Sequence, residues 1–165
     1  MNGIGDFGLA DRDLLQEIAR ETVRRAAPEE LPLFPMVATV YFDRGGRLPA
    51  GRAGRDEMLG FGLESAVILL TPVVLPVVSA ILDQLAQDVA RVVTDRGKDG
   101  LRRAMRALLR RTAEAENDAL PPVPELTPEQ LARVRMTALE KARQMDLPED
   151  KAELLADAVI GSLGA

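Results

Sequence analysis

The chain contains no cysteine, no histidine and no tryptophan, and only one tyrosine and four phenylalanines among 165 residues. Without Cys there is no disulfide framework, thiol nucleophile, thiolate zinc site or iron–sulfur cluster. Without His there is no Ser-His-Asp triad, and no imidazole to bind a metal or move a proton near neutral pH. An enzyme built from this set would have to work with carboxylates, Lys, Arg, Ser or Tyr41. No constellation of nucleophile, base and oxyanion donors is visible, so a non-enzymatic protein without metal or cofactor is expected. The opening "MNGIGDFGLADRD" has neither a basic n-region nor an apolar h-region, so no signal peptide is expected.

Aromatic residues make up 3% of the chain while apolar residues make up 47%. A core with so few rings must be packed from Leu, Val, Ala, Ile and Met, which suits helices on helices better than a β-sandwich. Arg outnumbers Lys eighteen to three, a composition typical of GC-rich bacterial genomes. The net charge of −5 is unevenly spread: residues 98–113 carry six positive and one negative side chain, and residues 114–165 carry five positive and eleven negative. A short basic block next to an acidic end is informative about partners.

Along the chain, residues 1–57 read as an N-terminal helical region ending in an Arg/Gly loop. In "DRDLLQEIARETVRRAAPEE", Leu14, Leu15, Ile18, Thr22 and Ala26 form one helical stripe. Asp11 or Asp13 is expected to cap its start, because a carboxylate there accepts free backbone N–H groups; Pro28 ends it. "LPLFPMVATVYFD" has strand-like composition but no partner strand, so a short helix opening at Pro35 is expected, with Phe34, Val37 and Tyr41 on one side. "DRGGRLPAGRAGR" is a loop, and the glycines after it lack the spacing and Lys-Ser/Thr of a phosphate-binding loop.

Residues 58–97 form a hydrophobic central segment that continues as an amphipathic helix. Thr71-Pro72 is a helix start signal with Thr as the expected N-cap, and a helix is predicted from there to Asp95, bent at Pro76. Leu75, Val78, Leu82, Leu85, Val89 and Val92 recur at spacings of three and four, a helix-association seam over nearly three heptads. Residues 98–113 form a basic amphipathic helix, with Arg102, Arg103, Arg106 and Arg110 opposite Leu101, Met105 and Leu108. Residues 114–126 are a Pro-rich linker. Residues 127–165 are a helical hairpin, opened by the capping box "TPEQ" at Thr127–Gln130.

The central segment admits two readings. The stretch Ala66–Leu82 is seventeen residues without a charge, about 25 Å of helix against a hydrocarbon core of about 30 Å. Hydropathy therefore favours a membrane element, carried by Leu59, Val67, Ile68, Leu69, Leu70, Pro72, Val74, Pro76, Val78 and Ile81, with Glu64 at its edge. Alternatively, a helix that is apolar all round is the centre of a soluble bundle. The basic face suits an anionic membrane surface, or pairs with the acidic hairpin. A nucleic acid is a weak partner for it, because no aromatic residues interleave with the arginines.

The fold expected is all-α: a small helical bundle around a central hydrophobic helix or helical hairpin, with a C-terminal helix-turn-helix hairpin. The leading functional expectation is a membrane-associated, otherwise cytoplasmic helical protein acting by insertion and self-association as a homo-oligomer, for example a bacterial effector or membrane-perturbing component. The alternative is a soluble all-α adaptor, with a buried central helix and faces that bind partner helices. No small-molecule substrate is evident.

Overall fold

A computed structural model describes residues 9–47, 69–92 and 126–164. Helix α1 runs Leu9–Ala26 and is followed by a 3-10 turn, η1, at Pro28–Leu33. Helix α2 is Phe34–Asp43, α3 is Thr71–Val92, α4 is Pro128–Gln144 and α5 is Glu149–Gly164. The described residues form five α-helices and no strand, the all-α bundle that composition and periodicity imply.

Helix α3 packs on α1 and α4, α4 packs on α5, and α5 packs on α1, which closes a four-helix ring. Helix α2 and η1 lie against α3 and α1. The hydrogen bond between Thr137 and Gln84 and the ion pair between Arg133 and Asp88 run in opposite order along α3 and α4, so these helices are antiparallel. Helices α4 and α5 form the expected antiparallel hairpin, pinned by Arg135 to Asp157 and Arg143 to Glu149.

The local chemistry of each helix end explains its bounds. Helix α4 has its capping box: Thr127 Oγ1 accepts from Gln130 N at 3.2 Å, and Gln130 Oε1 accepts from Thr127 N at 2.8 Å. Its other end is a Schellman motif, in which Leu147 N donates to Ala142 O and Asp146 N donates to Arg143 O, with Asp146 in the left-handed region at φ 59°. Helix α2 closes the same way, through Gly45 and Gly46 at φ 64° and 78°. Helix α2 also settles the ambiguity of "PMVATVYF": Pro35 sits in the first turn, and Phe34, Val37, Ala38 and Tyr41 are buried.

Two expected caps are corrected. Helix α1 begins at Leu9, so Asp11 and Asp13 lie within its opening turns and neither occupies the N-cap position. Thr71 is likewise inside α3, because Val73 N and Val74 N both donate to the Leu70 carbonyl, which places the cap position at Leu70.

The core answers what surrounds the central helix. Val73, Val74, Leu75 and Val77 are fully buried and Val78 and Ile81 are 1% exposed. Three consecutive residues at about 100° per step point in all directions, so the N-terminal half of α3 is covered on every side by its own chain. Each such Val, Leu or Ile contributes about 1.5–3 kcal/mol by leaving water, which makes α3 the main source of apolar stabilisation. Among the described residues no helix is long and apolar enough to cross a membrane. The expectation of a membrane-spanning helix at 66–82 therefore has no support: its described part turns into the bundle, and the polar residues from Asp83 onward keep the helix from being a span. The described part of the charge-free run is largely buried, and α1, α4, α2 and η1 pack against α3.

Candidate functional site

An apolar core of this kind isolates the few polar groups inside it, and those groups are where specific chemistry can reside. Among the described residues the most buried charged group is Glu30, in η1, at 6% exposure. Its carboxylate reaches the N-terminus of α3, forty residues further along. Oε1 accepts from Leu70 N at 3.0 Å, and Oε2 accepts from Thr71 N and Thr71 Oγ1, both at 2.7 Å. These short, charge-assisted bonds meet the positive end of a 22-residue helix. Pro72 has no N–H, and Val73 N and Val74 N bond to Leu70 O, so the Glu30 carboxylate completes the donor accounting of the first turn.

A second polar group lies between α2 and α3. The Tyr41 hydroxyl is buried and has no hydrogen-bond partner among the described residues. Burial pushes its phenol above the ordinary range; the nearby Ser79 hydroxyl acts in the opposite direction and the Asp83 carboxylate in the same one. Ser79 is thus close enough to act on the titration of Tyr41, but is not aligned for a hydrogen bond. Asp83 is half-buried, and desolvation raises its carboxyl above the ordinary value. Arg12 of α1 stacks over the Phe42 ring at 4.4 Å from its centroid, and Phe42 in turn meets Tyr41 edge-on. Both shifts favour the neutral forms of Tyr41 and Asp83.

A third set registers α3 against α4. Gln84 bonds Thr137, and Arg133 Nη2 lies 3.2 Å from Asp88 Oδ2, an ion pair whose groups are out of line for a hydrogen bond. Among the described residues no cluster of three or more acidic side chains is placed to hold a metal ion.

The residues singled out by sequence fall into three groups. Leu70, Pro72, Val74, Val78 and Ile81 are buried in the bundle, while Leu69 and Pro76 are partly buried. Leu75, Val78, Leu82 and Leu85 of the seam are buried by the chain's own helices. Val89 and Val92 belong to α3, but their side chains lie outside the described part. Leu59, Val67, Ile68 and the basic face Arg102, Arg103, Arg106 and Arg110 also lie outside the described residues, as do Glu64 and residues 114–125 of the Pro-rich linker. Sequence reading missed Glu30 and Asp83, and placed Tyr41 on the helix face that is buried. Glu30 stands in "PEELP", which carries the composition of a solvated turn, and nothing local marks it as a cap for a distant helix. Asp83 did carry a signal, as the first charge after the apolar run on a helix that is buried all round. Comparison with protein-family models, with curated proteins and with solved structures finds no match to this chain.

Proposed function

We propose that this chain is a non-enzymatic helical interaction module. The bundle keeps its apolar helix inside and offers polar outer faces to partner proteins. The observation that supports this reading is the burial of Val73, Val74, Leu75, Val77, Val78 and Ile81 within the chain itself. A helix consumed in this way is not free to insert in lipid or to build an oligomer through the same seam. The absence of His and Cys from the whole sequence weighs against metal-dependent and nucleophilic chemistry.

Membrane contact on this reading is confined to the surface, through the basic stretch 98–113, and becomes an outcome of the test. The chain is purified without detergent and characterised by size-exclusion chromatography with light scattering. It is then floated with neutral and with anionic vesicles. A monodisperse protein that floats with neither supports the interaction module. Salt-sensitive flotation with anionic vesicles alone would replace a protein partner with a lipid surface. A requirement for detergent, or flotation with neutral vesicles, would overturn the proposal.

A further inference from the structure

The first turn of α3 differs from the rest of the helix in what holds it. A helix turn is normally tied to the next by i to i+4 bonds. Here Pro76 has no N–H, so the bond it would donate to the Pro72 carbonyl cannot form. The turn therefore lacks one of the bonds that would tie it to the helix that follows, and it is joined from outside to Glu30. Three donors from Leu70 and Thr71 converge on that one carboxylate.

We propose that Glu30 is a latch, and that the turn Leu70–Leu75 is a separately opening unit of the bundle. The Glu30 carboxylate holds the unit shut, and the bond missing at Pro76 loosens its tie to the rest of α3. When the latch is broken the turn opens while the ring of α1, α3, α4 and α5 persists. Opening presents Leu70, Val73 and Val74, which the closed state buries completely. Glu30 acts through Leu70 and Thr71, so it is a positioning residue. This device is independent of which partner the bundle binds.

Amide hydrogen exchange under native conditions tests the latch, because it reads local opening apart from global unfolding. Glu30→Gln keeps the side chain's shape but turns an amide N–H toward the donors. The amides of Leu70, Thr71, Val73 and Val74 should then exchange about tenfold faster or more, while those of Ile81, Val134 and Val159 change by less than about twofold. Thr71→Val removes only the hydroxyl donor and should give a smaller change at the same amides; it serves as the test should Glu30→Gln fail to fold. Pro76→Ala, which restores the missing N–H, should slow exchange of the turn and recover part of the loss when combined with Glu30→Gln. A uniform acceleration of all amides, or none at the turn, would overturn the proposal, as would a Pro76→Ala change without effect on the turn.

Discussion

The hydroxyl of Thr22 lies 3.1 Å from that of Ser162, and the two residues join α1 to α5 across 140 positions of sequence. Both are buried, at 0% and 4% exposure. Each hydroxyl also sits at hydrogen-bond distance from a carbonyl of its own helix: Thr22 Oγ1 is 2.8 Å from Ile18 O, and Ser162 Oγ is 2.7 Å from Val159 O. A hydroxyl carries one proton, so the two cannot both satisfy their carbonyls and also donate to each other.

That competition sets the first prediction. Thr22→Val and Ser162→Ala each leave the other hydroxyl with its own carbonyl, so each should cost no more than about 1 kcal/mol. Their coupling in a double-mutant cycle should stay below about 0.5 kcal/mol. Urea unfolding of the four proteins measures both numbers. A coupling well above 1 kcal/mol would mean that the inter-helix bond outweighs the local ones.

Asp146 closes α4 at φ 59°, a conformation that a residue with a Cβ adopts at a cost. It holds the αL position of the Schellman motif, where glycine is the usual occupant. Asp146→Gly should therefore stabilise the protein by about 0.5–1 kcal/mol, provided that the strain relieved exceeds the extra entropy of the unfolded chain. Thermal unfolding would show a rise in midpoint, and a fall would show that the aspartate side chain contributes more than its backbone strain removes.

What the sequence made legible was local. Thr127 and Gln130 are three residues apart, so their reciprocal bonds follow from type and spacing alone. The stripe of α1 through Leu14, Leu15, Ile18 and Thr22 was visible for a similar reason, since one period governs both pattern and packing. Glu30 was not legible, because its partners lie forty residues away. Nor was the αL turn at Asp146, where the usual glycine is absent. The central helix left two readings open for a different reason. An all-round apolar surface is required by lipid and by a surrounding bundle alike, so hydropathy reports burial without naming the medium.

Two carboxylates should respond to pH in opposite senses. Hydrogen bonding from Arg24, and then from Arg25, holds Glu21 below its ordinary value of 4.5. A lowered folded value means a contribution fully present above about pH 4.5 and lost as the pH falls from there through the lower folded value. Asp83 is raised above its ordinary 3.8 by desolvation, so its native form binds the proton more tightly than the unfolded one. Stability on its account falls as the pH rises from 3.8 upward. Asp83→Asn should thus be at least as stable as the parent at pH 7, with the difference vanishing at acid pH. Urea unfolding across that range checks it, and a variant clearly weaker at pH 7 would mean that the ionised Asp83 has a role its desolvation does not reveal.

Val78 provides the sharpest discrimination between a helix in lipid and a helix in its own bundle. At 1% exposure it faces protein, where a carboxylate would find no partner. Val78→Asp should cost more than about 4 kcal/mol, a large share of the roughly 5–15 kcal/mol that holds a domain of this size together. The expected result is loss of helical circular dichroism over the whole molecule, or insoluble protein. Met136, on the outer face of α4 at 70% exposure, is the control. Met136→Asp should shift stability by no more than about 0.5 kcal/mol. A lipid-embedded α3 predicts instead that Val78→Asp leaves the other helices folded and removes only membrane association. A Val78→Asp protein that keeps its full helical signal and cooperative unfolding would therefore refute the buried bundle on which the proposed function rests.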